Sequence, residues 1–116
     1  MQEPPAPLKS RPTGTQIFSA RRDSHLTGIV FRLTHELTFE EAVIERRFGR
    51  DIVVCGAELK TNQRLAQRIE AAVGPFVRGA PHTSAGPEAL PHFQPLTRPP
   101  TGHSFYETPR RKSRKG

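Results

Sequence analysis

From residue 16 onward the chain changes its hydrophobic spacing several times, and each change marks an element. "TQIFSARRD" and "TGIVFRLTH" hold short runs of β-branched and aromatic residues, the second directly after Gly28. They predict two strands joined as a hairpin across "RRDSHLTG". "LTFEEAVIERRFG" predicts a helix. Thr38 is its N-cap, and Glu41, three residues on, completes a capping-box pattern. Glu40 and Glu41 lie at the positive end of the helix dipole, Arg46 and Arg47 at the negative end. Phe39, Ala42, Val43 and Phe48 form the apolar stripe, and Gly49 suits the left-handed conformation that ends a helix.

"DIVVCG" is a nearly continuous apolar run and reads as a strand covered on both faces. In "AELKTNQRLAQRIEAAVG", Leu59, Leu65, Ala66, Ile69, Ala72 and Val73 recur at helical spacing. Lys60, Gln63, Arg64, Gln67 and Glu70 fall on the other face, and Gly74-Pro75 stops the helix. Beyond it the chain is proline-rich and has no helical period. Short strands are expected at about 75–78, 90–96 and 103–107. In the last of these His103, Phe105 and Glu107 share one face, and Ser104 and Tyr106 the other. The order is that of an α+β fold, with two helices packed on a small, mostly antiparallel sheet. The piece 51–73 has the form of half a Rossmann unit, but "VVCGAELK" lacks the Gly-rich phosphate loop. No nucleotide cofactor, and no other cofactor, is expected.

Composition sets the limits of this domain. Residues 1–15 contain four prolines and no apolar cluster, so they read as a disordered Pro-rich arm. The single α+β domain is placed at 16–109 and a basic tail at 110–116. The chain carries a net charge of +7, and Arg110, Arg111, Lys112, Arg114 and Lys115 supply most of that excess. Such a tail reads either as a solvated end or as a sequence-independent contact for polyanions. The one cysteine, Cys55, excludes an internal disulfide and reads as a small buried residue. The polar N-terminus has no signal-peptide pattern, and no segment approaches the roughly 18 apolar residues of a membrane span. A cytoplasmic protein without membrane contact is expected.

Candidate chemistry gathers toward the C-terminus. His82, His92 and His103 are ten and eleven residues apart. In an antiparallel meander that spacing can bring them to one sheet face. Histidine titrates near neutral pH and serves as general acid or base. RNA cleavage without a metal needs a base for the 2′-hydroxyl proton, an acid for the leaving oxygen and a cation for the phosphorane. His92 and His103 are the candidate acid/base pair, with Arg98 or Arg78 for the charge. His82, Ser104, Tyr106 and the tail cations Arg110, Arg111, Lys112, Arg114 and Lys115 are candidate substrate contacts. The plainer alternative is a pair of strands with half-exposed histidines. A three-histidine zinc site ranks lower, since the spacing lacks a compact pair of ligands, and no metal is expected. Asp51 reads as a turn residue, and His25 and His35 are given no catalytic role.

Three stretches also resemble a known pattern. "DIVVCGAELKTNQRLAQRIEAAVG", "ALPHFQP" and "GHSFYE" resemble a small C-terminal domain of bacterial polymorphic toxins, including Rhs-type proteins. That pattern has a strand beginning with Asp, an Ala- and Leu-rich helix, a strand like "HYHP" and a closing "GHxFY". The matching segments are Asp51–Gly74, Pro91–Pro95 and Gly102–Tyr106, which lie within a span, 51–106, of about half the chain. The resemblance implies a toxin-like domain acting on nucleic acid. With the histidine chemistry above, RNA is the expected nucleic acid; an immunity protein is a further expected partner and delivery as an effector the alternative location. It marks His92, His103, Phe105 and Tyr106. Gln94 departs from it, standing where the pattern has a second histidine. Two other readings stay open: a non-catalytic nucleic-acid or protein-binding module, and an inactive remnant of such a toxin domain.

Overall fold

The computed structural model describes residues 14–23, 28–79 and 89–115. Residues 1–13 of the arm, His25 and His82 lie outside them. The order is β1 (Gln16–Arg22), β2 (Val30–Glu36), α1 (Phe39–Arg47), β3 (Ile52–Cys55), α2 (Leu59–Val73), β4 (Phe76–Gly79), β5 (His92–Pro95), β6 (Ser104–Tyr106) and β7 (Arg114–Lys115). The seven strands form one mixed sheet in the order β4-β5-β6-β3-β1-β2-β7. The β1–β2, β1–β3, β4–β5 and β5–β6 pairs are antiparallel, while β3–β6 and β2–β7 are parallel. The fold is thus the α+β class read from the sequence, mostly antiparallel, with two parallel pairings.

The local signals behave as their chemistry requires. The Thr38 hydroxyl accepts from the Glu41 amide at 3.1 Å, and the Thr38 amide donates to the Glu41 carboxylate at 2.8 Å. Gly49, at φ +81°, closes α1. All four residues of β3 are buried. Ile17, Ile52, Val54, Phe93 and Tyr106 face the helices and pack with Ala42, Val43, Leu65, Ala66 and Ile69. The other sheet face carries Val30, Val53, Cys55 and Phe105, which pack with Leu90 and, among the described residues, with no helix.

Four sequence expectations change here. Phe48 does not join the α1 stripe; it is 73% exposed. Thr15, assigned to the arm, is buried at the start of β1. Glu70, placed on the polar face of α2, is buried against Arg46, which is buried too. The tail is not a free solvated end. Lys115 pairs with Arg32 in the parallel β2–β7 register, and Ser113 is buried. The Ser113 amide and hydroxyl both donate to Glu107 Oε2, at 2.8 and 2.6 Å, and Arg111 donates to the Ala89 carbonyl at 2.7 Å. Glu107 is a buried carboxylate that needs donors, and the tail supplies them.

Arg46 organises the helix side. Its Nε donates to Glu70 Oε1, and its Nη1 donates to the Arg50 carbonyl at 2.8 Å and the Thr101 carbonyl at 2.9 Å. The Ser104 hydroxyl donates to the same Glu70 oxygen at 2.8 Å. One guanidinium therefore joins α1, α2, the turn before β3 and the loop before β6. Gly102, at φ +89°, makes that approach possible: a Cβ there would lie 2.6 Å from Arg46 Nη1 and 2.7 Å from the Gly49 oxygen.

Arg46→Met leaves Glu70 buried without its counter-charge and is expected to cost about 3–5 kcal/mol in urea unfolding. Changing Glu70 to Leu in the same chain is expected to recover part of that loss.

Candidate active site

Parallel pairing of β3 with β6 puts the residues just before each strand side by side. Those residues are Asp51 and His103. The Ile52 amide donates to the His103 carbonyl at 3.1 Å, which fixes the offset. Asp51 Oδ1 then accepts from the His103 amide at 2.8 Å and lies 3.2 Å from His103 Nδ1. An ionised carboxylate only accepts, so Nδ1 is the donor in this contact; in the neutral imidazole the lone pair then lies on Nε2. Burial pushes the Asp51 carboxyl upward, but the His103 hydrogen bond and the charges of His103 and Arg22 outweigh it, so the net shift is downward.

The antiparallel β5–β6 register sets His92 opposite Phe105, on the same face as His103. The His92 and His103 rings meet edge to face, 4.7 Å between centroids. His92 is 2% exposed, whereas the His103 side chain is 13% exposed, so His103 is the imidazole nearer to solvent. His92 Nε2 lies 3.1 Å from Gln94 Oε1, to which it donates. Gln94, the departure from the "HYHP" pattern, thus holds His92. Gly79 lies across from it: a Cβ at that position would come within 2.4 Å of His92 Nε2.

The other sequence candidates are placed differently. Ser104 and Tyr106 face the helices and are buried; Ser104 binds Glu70 and Tyr106 stacks on Phe93. Substrate contacts by these two hydroxyls are therefore ruled out by strand alternation. Arg78 pairs with Phe93 in the β4–β5 register, on the helix side, where the Gln63 amide oxygen accepts from it at 3.2 Å. Arg98 is exposed in the loop before β6 and donates to the Gly102 carbonyl at 3.4 Å, next to His103 in the chain. Arg110, Arg111, Lys112, Arg114 and Lys115 belong to the docked tail. His35 is exposed on β2.

Two features escape a reading of the chain alone. Asp51 was read as a turn residue because its partner lies 52 positions away. Arg21, Arg22 and Arg50 line a groove of about 410 Å³ that also includes Asp51. Arg22 Nε is 3.5 Å from Asp51 Oδ2, and Arg50 pairs with Glu45 at 3.1 Å. The Asp at the head of the "DIVVC" strand was a usable signal; the arginines, spread over two elements, gave none.

Cys55 is buried, at 8% exposure, as its apolar strand implied. Burial pushes its thiol up to about 12, against a smaller opposing effect of the Ser113 hydroxyl at 3.4 Å. No family model, no curated protein and no solved structure matches this chain. Function is therefore read from the geometry itself.

The lowered Asp51 carboxyl has a definite sign in folding. A depressed folded value stabilises the protein above the ordinary carboxyl value of 3.8, and that stability is lost as pH falls through the folded value. Urea unfolding of the wild type is expected to lose more stability between about pH 5 and pH 2 than Asp51→Asn does. Iodoacetamide at neutral pH is expected to leave Cys55 unmodified in the folded protein and to label it in urea.

Proposed function

We propose that this is a toxin-like domain that binds RNA and cleaves it by histidine acid/base chemistry. The observation that carries the reading is the Asp51–His103–His92 cluster, with its 3.2 Å carboxylate–imidazole contact and its edge-to-face imidazole pair. Asp51 of this cluster also lines a groove with Arg21, Arg22 and Arg50.

In this reading the arginines hold phosphates by charge, without base preference. His103 Nε2 takes the 2′-hydroxyl proton, and Asp51 holds the ring in the required tautomer and stabilises the imidazolium that forms. The 2′-oxygen attacks phosphorus, and the bond to the 5′-oxygen breaks. His92 is the second proton carrier, supplying the leaving oxygen. Arg98, which donates to the carbonyl of Gly102 next to His103, is the candidate for the charge on the phosphorane.

A second reading has one observation in its favour: His92 is buried and held by Gln94. A non-catalytic nucleic-acid-binding module would keep the basic groove and use the histidines only for packing.

RNA cleavage by purified protein with EDTA present separates the two. Wild type is expected to cleave, and His103→Ala to lose about 10²–10⁴-fold in rate. Asp51→Asn is expected to fall between them. Wild-type cleavage abolished by EDTA would remove the metal-free mechanism. Absence of cleavage, with salt-dependent RNA binding that Arg22→Ala and Arg50→Ala weaken, would leave the binding module.

A further inference from the structure

A second recess lies on the sheet face without a helix among the described residues, at the far end of β3 from Asp51. Cys55 lines it, four residues along the strand, which is about 13 Å away. Between the two lie Val53 and Phe105, buried under Leu90. This recess has a volume of about 530 Å³, within the size range of small-molecule sites.

Its walls are built rather than incidental. Asn62, 1% exposed, donates to the Gly56 and Glu107 carbonyls, each at 3.0 Å, and so holds two lining segments together. Glu107 is the one acid in the lining, and its charge is already met. Its Oε2 accepts from the Ser113 amide and hydroxyl and lies 3.5 Å from Arg32 Nη1. Arg32 in turn donates to the Ser113 carbonyl and hydroxyl, at 3.2 and 3.1 Å. The Cys55 thiol, with burial raising it to about 12, adds no negative charge.

Two further cations remain at the rim. Lys112 and Lys115 line the recess and are exposed, and neither pairs with a carboxylate among the described residues. The docked tail places both lysines in the lining of this one recess, together with Phe18 and Gln16. Two lysines lining one partly apolar recess suit a compact dianion attached to a flat or apolar group. A carboxylate offers one charge to that pair; a phosphate monoester offers close to two at neutral pH.

We propose that this recess is a phosphate-monoester site, with Lys112 and Lys115 binding the phosphate and Phe18 and Gln16 contacting the group that bears it. The monoester is either a free mononucleotide or the terminal phosphate of a nucleic-acid strand. The site stands independently of the cleavage chemistry at His103.

The test is calorimetric titration of the full chain with AMP, and with a short oligonucleotide carrying either a 5′-phosphate or a 5′-hydroxyl. AMP is expected to bind, and Lys112→Ala with Lys115→Ala to weaken it at least tenfold. Lys112→Arg with Lys115→Arg is expected to retain most of the binding. Both lysines are exposed, so the alanine variant should keep the wild-type unfolding midpoint to within a few degrees, which separates lost binding from lost folding. Preference for the 5′-phosphorylated strand over both AMP and the 5′-hydroxyl strand assigns the site to strand ends; AMP binding at least as tightly as the phosphorylated strand assigns it to mononucleotides. His103→Ala is expected to leave AMP binding unchanged, so failure of the cleavage reading would not touch this one. No binding of AMP or of the phosphorylated strand, or AMP affinity unchanged in the double alanine variant, would overturn it.

Discussion

Arg46 and Glu70 meet in the interior with almost no water around them, and most of the layout follows from how that pair is satisfied. The guanidinium needs acceptors and takes them from Glu70, the Arg50 carbonyl and the Thr101 carbonyl. Arg50 precedes Asp51 and Thr101 nearly precedes His103. The pair thus anchors, from beneath the sheet, both chain segments that carry the carboxylate–imidazole contact above it. Arg46 Nη2 and Glu70 Oε2 are buried without a partner among the described residues, so the desolvation of the two charges is only partly offset. A buried ion pair of this kind adds little net stability compared with apolar residues of the same shape. What it does here is hold two loops in one relative position.

The sheet divides labour between its faces. The helix side takes the large core residues, and strand alternation sends Ser104 and Tyr106 there with them. The other side has no helix among the described residues and is covered by Leu90 and the docked tail. It is on this side that His92, His103 and Asp51 gather at one end and Lys112 and Lys115 at the other. A face covered by a thin layer of chain leaves recesses at its margins, and both candidate sites are such margins.

The tail illustrates how a basic segment can be structural and still present charge. Ser113 and Arg111 reach Glu107 and the Ala89 carbonyl, while Lys112 between them and Lys115 beyond them stay exposed. Glu107 is buried on β6's continuation and would be costly without the Ser113 donors. The tail is therefore part of the fold by its serine and part of the electrostatic surface by its lysines.

Short-range chemistry was legible in the chain. The Thr38–Glu41 capping box, the Gly49 helix end, the buried β3 run and the Leu65, Ala66 and Ile69 stripe of α2 depend on neighbours within a few residues and formed as their patterns implied, whereas Leu59 and Ala72, read on the same stripe, are exposed. The histidine pair was also legible, because an antiparallel β5–β6 register follows from two short strands joined by one loop. Long-range polar partners were not. Arg46 finds Glu70 across 24 residues, and Asp51 finds His103 across 52, through a parallel pairing of β3 with β6 that no local period encodes. A charged residue on a helix reads as solvated until a partner is brought to it, which is why Glu70 fell on the polar face and Asp51 into a turn. Only the tertiary structure could supply those partners, since desolvation of a charge is decided by what packs over it and not by its own place in the sequence.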